Sequence, residues 1–374
     1  MLAAMTVFGA LGVALAQERA IAIDSGWVFS GNETRIEEYR GKKSIRMRTG
    51  RAIRRDVSFQ DGTIEFDMAV TQYRSFVYVQ FRMQADDEHE EIYFRPHKSS
   101  LPDAIQYAPV WNGESNWQLY HGKGGTAAVT FARDEWIHVR IVVSGQRAAL
   151  FVADDTIPEL VMRLAREPAA GYIALRSFVP GGGAPEGVVA ATFANVVVRP
   201  GYIPFNFATA IRDTTITGLV TRWQISSAFP VEAGVVRQLP DSVLRTRAQW
   251  RSIPVEPNGV AIIGRHRRRP APQSAVVARL VLRATGGALQ RMQLGYSDYV
   301  TVFVNGRPLF AGDAHYSFDE PRQDGVIGLY QAMVWLPLTR GDNEILLAVA
   351  DGFGGWGLTA RLDPTAGVSV VPPR

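Results

Sequence analysis

Polar and apolar side chains alternate in a short stretch that follows an acidic run near residue 90. The acidic run covers residues 86–91 and reads Asp-Asp-Glu-His-Glu-Glu. A strand that continues from this run would place four polar groups on one face, namely Glu91, Tyr93, Arg95 and His97. An arginine fork binds carboxylates or paired hydroxyls, and a glutamate carboxylate accepts hydrogen bonds from hydroxyls. This face therefore suits a polar ligand; the alternative is an ion pair between Glu91 and Arg95 on a solvated sheet.

A second group of ligand-type residues lies just downstream. It combines aromatic rings, amides and ionisable groups, namely Asp103, Gln106, Tyr107, Trp111, Trp117, Gln118, Tyr120 and His121. Sugars present apolar C–H faces with hydroxyl rims, so aromatic rings beside amides and carboxylates suit them. Together with Tyr93, these residues predict a carbohydrate-binding groove. Core packing is the alternative for Tyr107, Trp111 and Tyr120, and we expect Trp117 or Trp136 to lie in a core.

The same groove contains groups that are suited to catalysis. Glycoside hydrolases pair two carboxylates about 5 to 10 Å apart, and Glu91 has acidic neighbours for such a pair. Elimination or hydrolysis would instead use His97 or His121 as a base, with Arg95 steadying a developing anion. The candidate catalytic residues are therefore Glu91, His97 and Arg95. Whether the protein is an enzyme stays open at this stage.

Composition restricts metal and redox chemistry. The chain contains no cysteine, which excludes disulfides, thiolate zinc sites, iron–sulfur clusters and cysteine nucleophiles. We assign no metal site and no cofactor. Calcium is the alternative, because Asp86, Asp87, Glu88 and Glu90 offer the oxygen ligands that it prefers, although no twelve-residue calcium loop is present.

Strands must position all of these residues. The chain has 374 residues, of which 47% are hydrophobic, with 35 glycines and 21 prolines. Period-two runs bounded by turn residues predict strands at 62–68, 76–83, 136–143, 148–153, 189–198, 275–284, 300–304, 333–336 and 344–350. Long helical periodicity is absent, and residues 159–166 form at most a short helical turn. The pattern predicts an all-β protein with two β-sandwich (jelly-roll) domains in tandem.

The segments at the ends of the two strand-rich regions, which we call the first and second block, predict the domain boundaries. Residues 2–16 are apolar and uncharged and end in Ala-Leu-Ala, which is typical of a secretory signal peptide cleaved after Ala16. The expected location is therefore secreted or periplasmic. No later run reaches 18 apolar residues, so we expect no transmembrane span. The predicted division of the chain is 1–16 signal peptide, 17–200 first domain, 201–215 linker, 216–365 second domain and 366–374 tail.

Three segments of the first block carry a family resemblance. Residues 61–67, 136–145 and 193–198 resemble strands of the concanavalin A-like, laminin G-like jelly roll. The resemblance covers about residues 24–200 and implies a class that includes lectins, polysaccharide-binding modules, glucanases and relatives of the 3-keto-disaccharide hydrolases. The Glu-x-Asp-x-x-Glu motif of the laminarinase-like enzymes is not matched, because Met68-Ala69-Val70 follows Glu65-Phe66-Asp67.

The second block resembles another jelly roll. Residues 294–312 hold a strand, an Asn305-Gly306 hairpin turn and a second strand, and 336–349 hold a later turn and strand. These segments resemble the galactose-binding-like domain that accompanies many glycosidases. The glycine-rich segment 351–357 also carries Phe353 and Trp356. We expect it to pack against the first domain, with a ligand cleft as the alternative.

The net charge and the motifs of the chain limit the classes of partner that we expect. The net charge is +4, from 40 basic and 36 acidic residues, and no aromatic-plus-basic strand motif indicates nucleic acid. We interpret the basic run 265–272 as a solvated loop.

The expected function is an exported carbohydrate-binding protein of polysaccharide or glycoside metabolism. The alternatives are a glycoside hydrolase or lyase that uses the same groove, and an envelope adhesion or interaction protein. The oligomeric state is left open.

Overall fold

The computed structural model describes residues 19–31, 33–153, 156–207, 216–232, 234–246, 250–320 and 322–372. Its regular structure is almost entirely antiparallel β-sheet, which confirms the all-β prediction. One short α-helix, α1 (Asp241–Arg245), occurs within these residues. No helix in the described part is long and apolar enough to cross a membrane. The signal peptide predicted at 1–16 lies outside the described residues.

The first sandwich is built from the N-terminal half of the chain. Its strands are β1 (Arg19–Ala20), β2 (Val28–Ser30), β3 (Thr34–Tyr39), β4 (Lys42–Met47), β5 (Gly50–Phe59), β6 (Gly62–Val70), β7 (Phe76–Ala85), β8 (Glu88–Phe94), β9 (Ile105–Trp111), β10 (Glu114–Ser115), β11 (Thr126–Ala127), β12 (Ile137–Ser144), β13 (Arg147–Val152), β14 (Leu160–Arg163), β15 (Gly171–Phe178) and β16 (Ala191–Pro200).

These strands form two eight-stranded sheets. Sheet A has the order β14-β13-β12-β6-β16-β4-β3, with β1 on β16, and sheet B has the order β10-β9-β8-β7-β15-β5-β2, with β11 on β9. One hydrophobic core fills the space between them and includes the fully buried Phe66, Phe81 and Phe193. Because side chains alternate along each strand, sheet B turns its other face away from this core.

The second sandwich is built from the C-terminal half. Its strands are β17 (Arg222–Ile225), β18 (Phe229–Pro230), β19 (Arg251–Pro254), β20 (Ala261–Ile262), β21 (Ser274–Ala284), β22 (Ala288–Ser297), β23 (Tyr299–Val304), β24 (Arg307–Asp313), β25 (Ala332–Leu338), β26 (Gly341–Asp351), β27 (Gly357–Leu362) and β28 (Val368–Val371).

A four-stranded sheet packs on an eight-stranded sheet in this half. Sheet C has the order β20-β27-β22-β25, and sheet D has the order β19-β17-β21-β26-β23-β24, with β18 and β28 on β21. The core between them contains the fully buried Trp223 and Trp356. The Asn305-Gly306 turn joins β23 to β24 with both residues at positive φ, 51° and 79°, as a tight hairpin requires.

Strand positions agree with the alternating patterns in the sequence, with one exception. The predicted helical turn at 159–166 is wrong, because Leu160–Arg163 forms β14 and pairs with β13. Leu160 and Met162 alternate as buried residues there, which is the period of a strand and not of a helix.

The two sandwiches meet through an apolar cluster and through the basic run. Trp111 and Leu119 of the first sandwich pack with Val260 and Ile262 of the second. Within the run 265–272, one arginine pairs inside its own sandwich and two reach the other, in the contacts Arg265–Glu256 at 2.6 Å, Arg268–Asp87 at 2.6 Å and Arg269–Glu114 at 3.1 Å. The run is a loop and Arg268 is 63% exposed, as expected, but Arg265 and Arg269 are only 27% and 25% exposed, so the run also helps to join the sandwiches.

Candidate functional site

The outer face of sheet B carries a continuous row of polar and aromatic side chains. Cross-strand register places Arg51 opposite Arg176, Arg176 opposite Tyr78, Tyr78 opposite Tyr93 and Tyr93 opposite Gln106. Their neighbours in the sequence, such as Val77 and Val79, are core residues, so the row faces away from the core. Three consecutive strands, β7, β8 and β9, and the more distant β5 and β15 therefore contribute to one surface.

Two shorter rows flank this central one. On one side Gln80 lies opposite Glu91, and on the other Phe76 lies opposite Phe178. We call the surface formed by all three rows the outer face; its members are Arg51, Phe76, Tyr78, Gln80, Glu91, Tyr93, Arg95, Gln106, Arg176 and Phe178. Four residues were predicted to share one strand face. Glu91 and Tyr93 do so in this register, and Arg95 directly follows β8 and bonds to Gln106 on the same side, but His97 lies beyond the strand in a 3-10 turn, so its predicted strand position is wrong.

Glu91 is a buried carboxylate of the outer face that hydrogen bonds hold in place. Its side chain is 1% exposed; Ser115 Oγ donates to Oε1 at 2.7 Å, and Gln80 Nε2 donates to Oε2 at 3.0 Å. Burial alone would raise the pKa of Glu91, but the His89 hydrogen bond and charge, the Arg176 charge and the Gln80 amide together lower it to about 2. Glu91 therefore stays ionised and orders its neighbours.

Arg95 is held by a hydrogen-bonded network. Its guanidinium donates to Gln106 Oε1 and lies 2.8 Å from Asp103 Oδ2. Tyr93 Oη also donates to Gln106 Oε1, at 2.7 Å, while Gln106 Nε2 donates to the backbone oxygens of Trp117 and Tyr120. Gln106 thus connects the outer face to the loop that carries Trp117.

His97 lies at the end of β8 in the 3-10 turn Pro96–Lys98. Its ring contacts Phe76 edge-on, with the ring centroids 5.3 Å apart. Burial and the Arg95 charge lower the pKa of His97 to about 4. His97 is therefore neutral at physiological pH and closes the aromatic end of the outer face.

Aromatic rings remain accessible around these buried groups. Phe178 is 37% exposed and its centroid lies 6.3 Å from that of Phe76. Tyr78 is half-buried and lies 5.3 Å from Tyr93, centroid to centroid. Burial raises the pKa of both tyrosines, so both remain neutral phenols.

The second sandwich adds aromatic rings at the opposite edge. Trp117 is half-buried, and its ring lies 5.5 Å from Tyr316 and 6.0 Å from Phe353. Phe353 is 59% exposed. The segment 351–357 therefore packs against the first sandwich, as expected, and also extends the aromatic surface. Trp117 and Trp136 are both half-buried and belong to no core cluster of the described residues, so the core prediction for them is wrong.

Three predicted groove residues instead face packed interiors. Tyr107 lies in the first core, where its hydroxyl donates to Glu90 at 2.7 Å and accepts from Ala165 N at 2.6 Å. Trp111 is buried in the cluster between the sandwiches, and Tyr120 packs against that cluster. Gln106 and Tyr107 are adjacent on β9, so their side chains point to opposite faces of sheet B. Gln106 points to the outer face and Tyr107 points into the core.

A cleft of about 640 Å³ lies between the sandwiches, next to but separate from the outer face. Gln118, Tyr120 and His121 line it from the first sandwich, and Glu256 and Asn258 line it from the second. Asn258 Nδ2 donates to the backbone oxygen of Leu119 at 3.0 Å. Of the eight residues in the second half of the predicted groove, three therefore line this cleft.

The acidic run 86–91 does not converge on one point. Its side chains have separate partners, in the contacts Asp86–Arg55 at 2.9 Å, Asp87–Arg268 at 2.6 Å, Glu88–Arg166 at 2.6 Å and Glu90–Tyr107 at 2.7 Å. Within the described ranges, no group of three or more histidine, aspartate or glutamate side chains is arranged to hold a metal ion.

Sequence reasoning missed the residues that lie on neighbouring strands. Arg51, Tyr78 and Arg176 were not among its candidates, although each holds an alternate, outward position on its strand. Their alternation marks them as surface residues, but only the sheet order brings them to Tyr93.

Comparisons with known proteins give distant structural neighbours. No family model matches the chain, and no curated protein matches it. Similar solved structures include the carbohydrate-binding module CBM66 from Bacillus subtilis, with 15% identity over 46% of this chain and 95% of that one and a TM-score of 0.35. A Bacillus licheniformis β-glucanase has 12% identity over 48% and 94%, with a TM-score of 0.35. SCLam, a non-specific endo-β-1,3(4)-glucanase of family GH16, has 11% identity over 49% and 89%, with a TM-score of 0.34. These values do not support a shared activity.

Proposed function

We propose that this chain is a carbohydrate-binding protein whose ligand lies on the outer face of sheet B. One observation carries the proposal: half-buried Tyr78 lies in a row with two arginines and Tyr93, exposed Phe178 lies in the row beside it, and Trp117 and exposed Phe353 lie near the Gln106 end. Sugar rings stack their C–H faces on aromatic rings, while hydroxyls accept hydrogen bonds from guanidinium groups. The apolar N-terminal run supports the further proposal that the protein is exported.

The contacts favour the outer face over the cleft. In the cleft, Arg265 is already paired with Glu256 at 2.6 Å, and apolar residues such as Leu119 and Val260 belong to the cluster that joins the sandwiches. On the outer face, Tyr78 and Phe178 present ring surface to solvent.

A binding role also fits Glu91 better than a catalytic one. A general acid must hold a proton near neutral pH, whereas the low pKa keeps Glu91 ionised; a base or nucleophile must reach the substrate, whereas the Glu91 side chain is 1% exposed. Both of its carboxylate oxygens already accept hydrogen bonds within the protein.

The test measures saccharide affinity by titration calorimetry across a panel of oligosaccharides. Tyr78→Ala should weaken binding of the best ligand by about tenfold or more. Tyr202→Ala, which truncates a tyrosine that is 79% exposed elsewhere on the first sandwich, should leave the affinity unchanged. Loss of binding in His121→Ala with normal binding in Tyr78→Ala would move the site to the cleft.

The enzyme alternative is tested on the same panel by chromatography with mass detection. We expect no new products from the wild-type protein. Products that disappear with Glu91→Gln, in a variant that still binds the ligand, would instead show a hydrolase or lyase that uses Glu91.

A further inference from the structure

Two arginines of the outer face lie side by side with like charges. Arg51 of β5 and Arg176 of β15 are direct cross-strand partners, and side chains at such positions start only about 5 Å apart. Arg176 stacks over the Tyr78 ring, with its guanidinium carbon 4.6 Å from the ring centroid. Arg51 donates to the backbone oxygen of Asp86 at 3.3 Å.

Neither guanidinium lies within 4.0 Å of a carboxylate oxygen among the described residues. The two nearest candidates are occupied elsewhere. Asp86 pairs with Arg55 at 2.9 Å and accepts from Tyr172 at 2.5 Å. Glu91 is bound by Gln80 and Ser115.

This lack of an ion pair contrasts with other arginines of the first sandwich. Arg54, only three residues from Arg51, pairs with both Asp24 and Asp56. Arg166 pairs with Glu88. Burial and the neighbouring Arg176 charge lower the pKa of Arg51, although the Asp86 and Glu91 charges act in the opposite direction.

We propose that Arg51 and Arg176 together bind an anionic substituent, a carboxylate or a sulfate ester, on an acidic saccharide. The inference rests on the proposed function, because it assigns the class of sugar that the outer face takes. Two guanidinium forks can share the oxygens of one such anion, and its charge would relieve their mutual repulsion. Tyr78, directly beside Arg176, holds the guanidinium in place by cation–π contact with its ring.

The experiment compares matched pairs of ligands. Uronic acid oligosaccharides are titrated beside their methyl esters, and sulfated oligosaccharides beside their desulfated forms, at low salt. The wild-type protein should bind at least one acidic form about tenfold or more tightly than its neutral partner. That preference should shrink as salt is raised, because ions screen charge on a partly exposed surface. The uronate and sulfate pairs separate the two anions.

Variants of Arg51 and Arg176 then test whether these two residues cause the preference for acidic saccharides. Arg51→Met and Arg176→Met remove the charge but keep an unbranched apolar stem, and each should bring the acidic-to-neutral affinity ratio close to one. Arg35→Met is the matched control, because Arg35 is on sheet A and pairs with Glu37; the ratio should not change. Thermal unfolding checks that each variant is folded, and Arg176→Lys serves if the methionine variant is not. The lysine variant should keep part of the preference.

The outcomes separate the two proposals. Equal affinity for acidic and neutral partners in the wild-type protein overturns the anion inference and leaves carbohydrate binding intact. A preference that survives both methionine variants also overturns it. No binding to any saccharide, neutral or acidic, overturns the proposed function and the inference together.

Discussion

The Ser297 hydroxyl of the second sandwich donates a 2.6 Å hydrogen bond to Gln118 Oε1 of the first. The backbone of Gln118 continues this contact: its N–H donates to Gly354 O at 3.0 Å, and its carbonyl accepts from Ile327 N at 3.2 Å. Gln118 therefore fixes the second sandwich beside Trp117, and its neighbour Trp117 can meet Phe353. A residue predicted to bind substrate is thus mainly a docking residue.

Gln118→Ala should destabilise the protein by about 1–3 kcal/mol, because it removes the 2.6 Å acceptor of the buried Ser297 hydroxyl and leaves it only Asp298 Oδ1, at 3.3 Å. Denaturant unfolding followed by tryptophan fluorescence measures this change. Gln238→Ala, at an exposed position, is the control and should shift the midpoint little. Equal midpoints for the two variants would contradict the docking role.

Phe353→Ala should weaken saccharide binding while leaving stability nearly unchanged. The ring is 59% exposed, so its removal creates no cavity, but it removes aromatic surface beside Trp117. We expect an affinity loss of about threefold to tenfold by calorimetry. Leu289→Ala, at a position that is 62% exposed on the second sandwich, controls for general surface effects. Unchanged affinity in Phe353→Ala would confine the ligand to the first sandwich.

The alternation of polar and apolar residues in the sequence was enough to predict most strands and the site residues that follow one another along β8. Glu91 and Tyr93 share a face because they occupy alternate positions of β8, and Arg95 directly follows its last residue. Arg51 and Arg176 could not be paired in this way, since 125 positions separate them and only the strand order of sheet B makes them neighbours.

The basic run shows the same limit for charges. Local sequence indicated a solvated loop, because five basic-type residues stand together. Its partners Asp87 and Glu114 lie in the other sandwich, so no local pattern reports them. Docking of the two sandwiches, rather than strand propensity, decides the environment of these arginines.

Glu91→Gln should change how stability depends on acid pH. The folded pKa of Glu91, about 2, lies below its ordinary value of 4.5, so Glu91 stabilises the fold above pH 4.5 and this contribution is lost as the pH falls toward 2. The variant should therefore be less stable than wild type at neutral pH. This difference in the free energy of unfolding, the gap, should become smaller in acid. Denaturant midpoints at about pH 7 and about pH 3 measure the gap. Glu38→Gln, at an exposed position, is the control. A gap that is the same at both pH values would contradict the low pKa.

Asp351→Asn should have the opposite pH dependence. Asp351 is fully buried at the contact between the sandwiches, 3.3 Å from Arg269, which also lies 3.1 Å from Glu114. Burial, the Glu114 charge and the Asp298 charge raise the pKa of Asp351 well above its ordinary value. A raised folded pKa means that the stabilisation is fully present in acid and is lost as the pH rises through that pKa. Asparagine cannot ionise, so the variant should gain stability relative to wild type as the pH rises.

Denaturant midpoints of wild type and Asp351→Asn between about pH 5 and about pH 9 measure this gain. Asp319→Asn, at an exposed position on the same sandwich, should follow the wild-type profile throughout. If Asp351→Asn loses stability relative to wild type as the pH rises, then Asp351 is ionised and the Arg269 ion pair dominates. In that case Glu114 and Asp351, both ionised, would hold the two sandwiches together through Arg269 as a charged triad.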